Sequence, residues 1–263
     1  MSPDAEIDID NILMNAVAWA KQAGKIQLEL FRKPDILNIS AKLNDSDVVT
    51  NADRASEALI LNNIHSLFGN SHSILSEESG VESNDSNFCW VIDPLDGTTN
   101  YSSGLPIFCV SIALKYKEDT ILGVVYAPYL DELYTAIKGE GAWLNGEPIK
   151  VSSNCEISKA VVSTGFPVDK NVNRDNNLDN VARVLPLVRG MRRLGSAAWD
   201  ICAVAAGSLD AYWEMNLHEW DVCAAALIAR EAGAVVKSFR SDRNVSILVA
   251  SPGVSDTIFP LLH

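Results

Sequence analysis

The stretch Cys89–Tyr101, CWVIDPLDGTTNY, constrains the fold more than any other. Its apolar start asks to be buried, yet the run ends in two carboxylates, a proline, a glycine and two threonines. Asp93 then sits at the mouth of a buried strand, where an unpaired charge is costly. A chain that keeps such a strand must cover it with other layers and open its end onto something that compensates the acids. Asp-Pro and Asp-Gly are also ordinary turn formers, so a plain turn is one reading. The other is a site. Pro94 fixes the local φ, which lets Asp93, the Leu95 carbonyl and Asp96 point toward one locus. Three oxygen donors at this spacing suit a hard ion such as Mg²⁺. If a helix or tight turn starts at Gly97-Thr98, its amides face an incoming anion, and a threonine hydroxyl can orient a water.

The remaining pattern is mixed. Ile9, Ile12, Leu13, Val17, Ala20 and Leu28 recur at near-helical spacing, which predicts a long amphipathic helix over 8–31. A second helix opens near residue 51, with Thr50 and Asp53 resembling a capping box and Leu59, Ile60, Ile64 and Leu67 as its buried face. From 73 to 136 short β-rich runs predominate: SILSEES, FCWVID, IFCVSIALKY and ILGVVYAP. Asn145-Gly146 marks a hairpin. Further on, VVSTGFP reads as a strand entering a loop, and 169–180 is polar. Gly195–Ala206 and Trp220–Ala232 read as helices, and DAYWEM, AVVKSF and VSILVAS as strands before a last helix. The expectation is a layered α/β (α+β) sandwich of alternating helix and sheet layers. Its two lobes, 1–150 and 151–263, meet near 140–160.

Composition excludes some functions. A net charge of −13 over 263 residues disfavours gripping nucleic-acid backbones, although bound divalent cations can reverse the local sign for a small phosphorylated substrate. No apolar run approaches a membrane span, and the start MSPDAEIDIDN is acidic, unlike a signal peptide. The five cysteines contain no CxxC pair; four lie in apolar contexts and read as small buried thiols, in keeping with a reducing cytoplasm.

Four acidic clusters stand at the ends of predicted elements: Asp47 with Asp53, Glu77 with Glu78, Asp93 with Asp96, and Glu214 with Asp221. Each has a plain structural reading. Asp53 can be only a cap partner, and Glu77-Glu78 a solvated pair. Asp221 can simply complement a helix dipole, and Glu214 can end a strand in a salt bridge.

DVVTNAD, SEES, WVIDPLDGTTNY and YWEMNLHEWDVCAAALIAREAGAVV resemble, in order and spacing, segments of the inositol monophosphatase family. The resemblance runs from about residue 8 to about residue 260. That magnesium-dependent, lithium-sensitive phosphatase superfamily also contains fructose-1,6-bisphosphatases and bisphosphate nucleotidases. The resemblance implies a homodimer acting on a phosphorylated polyol with two to three Mg²⁺ ions. It implies metal ligation by Glu77, Asp93, the Leu95 carbonyl, Asp96 and Asp221, with Asp53 and Thr98 activating the water. The Gly97 and Thr98 amides would cradle phosphate. Asp96, Ala197, Glu214 and Asp221 would line the substrate, and Lys42 matches the family's lysine near the first acidic segment.

The expected reaction is hydrolysis of inositol monophosphate by metal-activated water. His218, the only histidine near a motif, supports the Trp220-Asp221 turn in this reading. Alternatives are a broad sugar phosphatase, with fructose-1,6-bisphosphatase or histidinol-phosphate phosphatase activity, a bisphosphate nucleotidase, or a non-catalytic regulatory scaffold. Nucleotidases commonly carry lysine where this chain has Thr99. Ser76, Tyr101-Ser102-Ser103 and Glu219 depart from the common family pattern; none is an expected ligand, and the latter two are placed where they would alter the pocket rim.

Overall fold

The structure, a computed structural model, describes residues 8–41 and 48–263. Helix α1 (Ile9–Leu30) is capped by Asp8, whose side chain accepts from the Asn11 amide. The hairpin of β1 (Ile39–Ala41) and β2 (Val48–Thr50) leads into α2 (Asn51–Phe68). Asp47 and Lys42 lie outside the described residues.

An eight-stranded sheet follows. Its members are β3 (Ser73–Ser76), β4 (Gly80–Glu82), β5 (Phe88–Asp96), β6 (Cys109–Tyr116), β7 (Asp119–Ala127), β8 (Glu132–Ile137), β9 (Ala142–Leu144) and β10 (Glu147–Pro148). They lie in the order β10-β9-β8-β7-β6-β5-β3-β4, and the short helix α3 (Thr98–Ser102) joins β5 to β6. β3 and β5 run parallel, and every other pairing in the sheet is antiparallel.

The second half contributes β11 (Val161–Thr164), α4 (Leu178–Val184), β12 (Gly190–Arg192) and α5 (Ala197–Ala205). It continues with β13 (Ala211–Leu217), α6 (Glu219–Glu231), β14 (Val235–Ser238), β15 (Val245–Ala250) and α7 (Pro252–Ile258). Its five strands are ordered β12-β11-β13-β15-β14.

Side-chain alternation explains the layering. On β5 and β6, Trp90, Ile92, Val110, Ile112 and Leu114 face α1 and α2, where Ile12, Trp19, Ile60 and Ile64 complete one core. The intervening Val91, Cys109 and Ala113 face α5 and α6 on the other side. Those two helices are buried almost all round because Tyr212, Ile247 and Val249 of the second sheet cover them. The far face of that sheet carries Val162, Ala211, Trp213 and Leu248 against α4 and α7. The result is five alternating layers, helix-sheet-helix-sheet-helix, as the patterning predicts.

Six elements are not legible as such: the sequence marks no separate strand at β1, β2, β4, β8 or β12, and only a polar stretch where α4 begins. At Gly97-Thr98 it leaves helix or tight turn open, and the structure has the short helix α3. Among the described residues no helix is long and apolar enough to cross a membrane, and none of the five cysteines is bridged.

Candidate active site

The buried strand β5 delivers its acids to a cavity of about 200 Å³ between the two sheets. Asp93 is 2 % exposed. Its Oδ1 accepts from the Leu95 amide at 2.9 Å, so the DPLD segment folds back on itself. The strand register slips between Asp93 and Asp96, which carries both acids to the same end of the sheet. The Pro94 carbonyl accepts from Gln27 Nε2 at 2.7 Å, a contact from α1 that no local pattern marks.

Gly97 then turns the chain with φ of 93°. A side chain there would be strained, and a Cβ would lie 2.9 Å from the Ile107 carbonyl oxygen. The turn starts α3, whose first helical bond runs from the Tyr101 amide to the Gly97 carbonyl at 2.9 Å. Gly97, Thr98 and Thr99 line the cavity.

Asp53 is fully buried and reaches the cavity through Thr98. The Thr98 hydroxyl lies 2.9 Å from Asp53 Oδ1 and 2.9 Å from the Leu95 carbonyl oxygen. The other Asp53 oxygen accepts from the Thr50 amide and hydroxyl at 2.9 and 2.6 Å. Asp53 is therefore both a cap and a Thr98 partner. Burial raises its pKa, opposed by the Thr50 and Thr98 hydrogen bonds.

Asp221 repeats this arrangement at α6. One of its oxygens accepts from the His218 amide at 2.7 Å, while the residue lines the cavity. The His218 ring stacks on Trp220 with centroids 4.5 Å apart, in keeping with a supporting place.

Glu77, Asp93, Leu95, Asp96, Gly97, Thr98, Ala197, Glu214 and Asp221, all expected site residues, line this one cavity. Burial pushes the Asp93 carboxyl well above the ordinary range, and Glu77, Asp96 and Asp221 add to the rise. Asp221 is raised by burial and then by Asp96. Asp96 is raised less, because Ser196 Oγ and the Ala198 amide each donate to its Oδ2 at 2.7 Å. Asp96, Glu214 and Asp221 are half-buried, each with a face on the cavity.

Among the described residues no three His, Cys, Asp or Glu side chains close into a metal-holding cage. The donors instead surround an open space. Mg²⁺ keeps several waters and takes few protein ligands directly, so an open ring of hard oxygen donors fits it. Mutual repulsion among buried carboxylates is the cost such a cation offsets.

Glu214, on β13, accepts from the Tyr212 hydroxyl at 2.5 Å. Burial lifts its pKa to about 7 against that hydrogen bond and the Arg193 charge. Gly165 makes room for it: a Cβ there would lie 1.9 Å from Glu214 Oε2.

Several residues escaped sequence reading. Glu57, 7 % exposed, accepts from Ser76 Oγ and from the Glu78 and Ser79 amides at 3.2 and 3.1 Å, so it organises the turn carrying Glu77. It sits four residues beyond Asp53 on the same helix, the signal that could have found it. Asp200, Lys170 and Arg193 also line the cavity, and no motif marked them. Burial raises Asp200 well above the ordinary range.

Two expectations about the rim are corrected. Tyr101 packs in the core with Phe31 and Phe108 and donates to the Gln27 carbonyl at 2.7 Å. Neither it, Ser102 nor Ser103 lines the cavity. Glu219 pairs with Lys115 at 2.9 Å along another groove, because α6 turns it away from the cavity face that Asp221 occupies.

The family profile of the inositol monophosphatases matches residues 8–257. The Pasteurella multocida protein named Nus factor SuhB is 41% identical over 231 residues, 87% of this chain and 86% of that protein. The Synechocystis inositol-1-monophosphatase is 43% identical over 205 residues, 78% of this chain and 71% of its own. The solved inositol monophosphatase from Anabaena superposes with a TM-score of 0.85 at 37% identity, covering 97% of this chain and 96% of that one. The chain belongs to the inositol monophosphatase family.

Proposed function

We propose that this protein is a Mg²⁺-dependent phosphomonoesterase that hydrolyses inositol monophosphate to inositol and phosphate. The observation that carries the reading is the Thr98–Asp53 contact at 2.9 Å, set at the wall of a cavity ringed by Glu77, Asp93, Asp96 and Asp221.

Glu77, Asp93, the Leu95 carbonyl, Asp96 and Asp221 would hold the two to three ions. When bound, Mg²⁺ supplies charge stabilisation at the phosphoryl and leaving oxygens and a more acidic water. The chain's own residues do the rest. Gly97 and Thr98 amides, at the open start of α3, orient phosphoryl oxygens. A water at the cavity wall attacks phosphorus in line and gives its proton to Thr98 Oγ, which passes its own to Asp53 Oδ1. The new P–O bond forms as the ester P–O bond breaks, and the leaving oxygen takes a proton from solvent. A buried Asp53 with a raised pKa suits the acceptor role better than an ordinary aspartate.

Glu214, once ionised, accepts from two neighbouring hydroxyls of a polyol, and Ala197 lines the same cavity. This favours a polyol leaving group over a simple alcohol. The family likeness supports a lithium-sensitive homodimer of the cytoplasm.

A second reading, a protein that acts by binding a partner, rests on the relative named Nus factor SuhB. The retained carboxylate ring and Thr98–Asp53 contact weigh against it as the sole role. Phosphate release from inositol 1-phosphate tests the proposal, beside fructose 1,6-bisphosphate, histidinol phosphate and adenosine 3′,5′-bisphosphate. Preference for the inositol ester supports it. Comparable rates on the sugar bisphosphate make it a broad sugar phosphatase, and no release from any ester favours the partner-binding reading.

A further inference from the structure

The segment between β11 and α4 has no regular secondary structure, yet it lines the cavity through Gly165, Phe166, Val168 and Lys170. Its ends are tied together. The Asn177 side-chain amide donates to the Gly165 carbonyl at 2.6 Å and to the Thr164 hydroxyl at 2.8 Å. The Asn177 amide oxygen accepts from Trp213 Nε1 at 2.9 Å. Backbone turns run through its middle, from the Lys170 amide to the Pro167 carbonyl at 3.1 Å and from the Val172 and Asn173 amides to the Asp169 carbonyl at 3.0 and 2.9 Å, so what side-chain contacts add is a tie between that middle and the rest of the fold.

Two arginines from the turn between β14 and β15 supply those contacts. Arg243 Nη2 donates to both Asp169 oxygens at 2.8 and 2.7 Å, and Nη1 donates to the Asp175 carbonyl at 2.8 Å. Arg240 Nη1 donates to the Asp175 carboxylate at 2.9 Å, while its Nε and Nη2 hold Asp242 at 2.8 and 2.7 Å. The Arg243 and Arg240 side chains are only 12 % and 14 % exposed, whereas Asp169 and Asp175 keep 37 % and 44 %, so the hold rests on the forked geometry of the bonds rather than on exclusion of water.

Lys170 follows Asp169 directly. Among the described residues, Lys170 and Arg193 are the cations lining a cavity that also holds six carboxylates. A phosphate ester approaching such a cavity in a protein of net charge −13 meets repulsion that an ammonium at the wall reduces, and the exposed Lys170 side chain is held there only through its backbone. Lys170 also favours the ionised form of Glu214.

We propose that Arg243 is a positioning residue: by gripping Asp169 and Asp175 it keeps Lys170 at the cavity wall, where the ammonium sets affinity for the phosphate group rather than turnover. The ligand named rests on the phosphatase reading; the positioning of the loop does not.

The test uses the full chain with Mg²⁺. R243A should weaken binding of inorganic phosphate, read by calorimetry, and raise KM, each about tenfold, with kcat within about twofold. K170A should show the same pattern. The R243A/K170A double variant should be no worse than K170A alone, because both changes remove one effect. Trypsin should cut after Lys170 and Arg174 faster in R243A than in wild type. Arg243→Lys keeps the charge but not the fork, so it should show a smaller shift of the same kind and covers the case in which R243A does not fold. Unchanged phosphate affinity and unchanged cutting would overturn the proposal, as would full additivity with K170A. If wild type releases no phosphate from any ester, the phosphatase reading falls, while trypsin and calorimetry still judge Arg243.

Discussion

Asp53 and Thr98 stand 45 positions apart in the chain and meet at 2.9 Å, with Asp53 fully buried behind a threonine that lines the cavity. One Asp53 oxygen closes the capping box of α2 and the other takes the Thr98 contact. Helix start and proposed proton path therefore share one carboxylate.

Thr98→Val keeps the volume and removes the hydroxyl. Its kcat should fall about 10²- to 10⁴-fold, the range for general-base catalysis, with KM little changed. Thr98→Ser should retain most activity. Steady-state phosphate release on the three proteins checks this, and an active valine variant would remove Thr98 from the proton path.

Gly165→Ala places a methyl group where Glu214 Oε2 lies, so Glu214 must move. The variant should raise KM for inositol 1-phosphate about tenfold, as for the loss of a charged hydrogen bond, and leave an aryl phosphate nearly unaffected. Glu214→Gln should show the same preference. Equal effects on both esters would mean that Glu214 does not contact the polyol.

Without Mg²⁺, stability should fall as pH rises. Burial raises Asp93 and Asp221, and lifts Glu214 from 4.5 to about 7. Between the ordinary values and these raised ones the folded state holds more protons than the unfolded state, so unfolding becomes easier with increasing pH. Their contribution is complete below about pH 4 and lost as pH climbs through the raised values. Thermal unfolding from pH 5 to 8 should therefore show a declining Tm, and Mg²⁺ should raise Tm more at pH 8 than at pH 5. A flat profile, equal with and without Mg²⁺, would contradict the clustered-carboxylate account.

Glu57→Leu removes the acceptor that gathers Ser76, Glu78 and Ser79 around Glu77. The expected result is a roughly 10- to 100-fold loss of Mg²⁺ affinity, the usual scale for a residue that orients a ligand. Calorimetric titration of Mg²⁺ reads it, and unchanged affinity would leave Glu57 a purely structural group.

Legibility in the sequence followed the kind of signal. The layers were readable because the alternation in β5 and β6 and the helical spacing in α1 are local patterns. So were Asp93, Asp96 and Gly97, since an apolar run that ends at once in two acids, a proline and a glycine is itself a local pattern. Short strands such as β4 and β12 gain their identity only from a neighbouring strand. Gln27, Asp200 and Arg243 gain theirs from partners far along the chain: Gln27 meets the Pro94 carbonyl 67 positions away, and Arg243 meets Asp169 74 positions away. No local pattern encodes such contacts. The same holds for Tyr101, whose place near the motif suggested the rim while its ring completes a core with Phe31 and Phe108.

If carboxylates at the end of β5 drive phosphate ester hydrolysis, removing one of their charges must abolish it. The most direct measurement is Mg²⁺-dependent phosphate release from inositol 1-phosphate by wild type and Asp93→Asn, with thermal unfolding confirming that both are folded. The account predicts turnover in wild type and its loss in Asp93→Asn, without loss of the fold. Wild-type rates in a folded Asp93→Asn protein would contradict it.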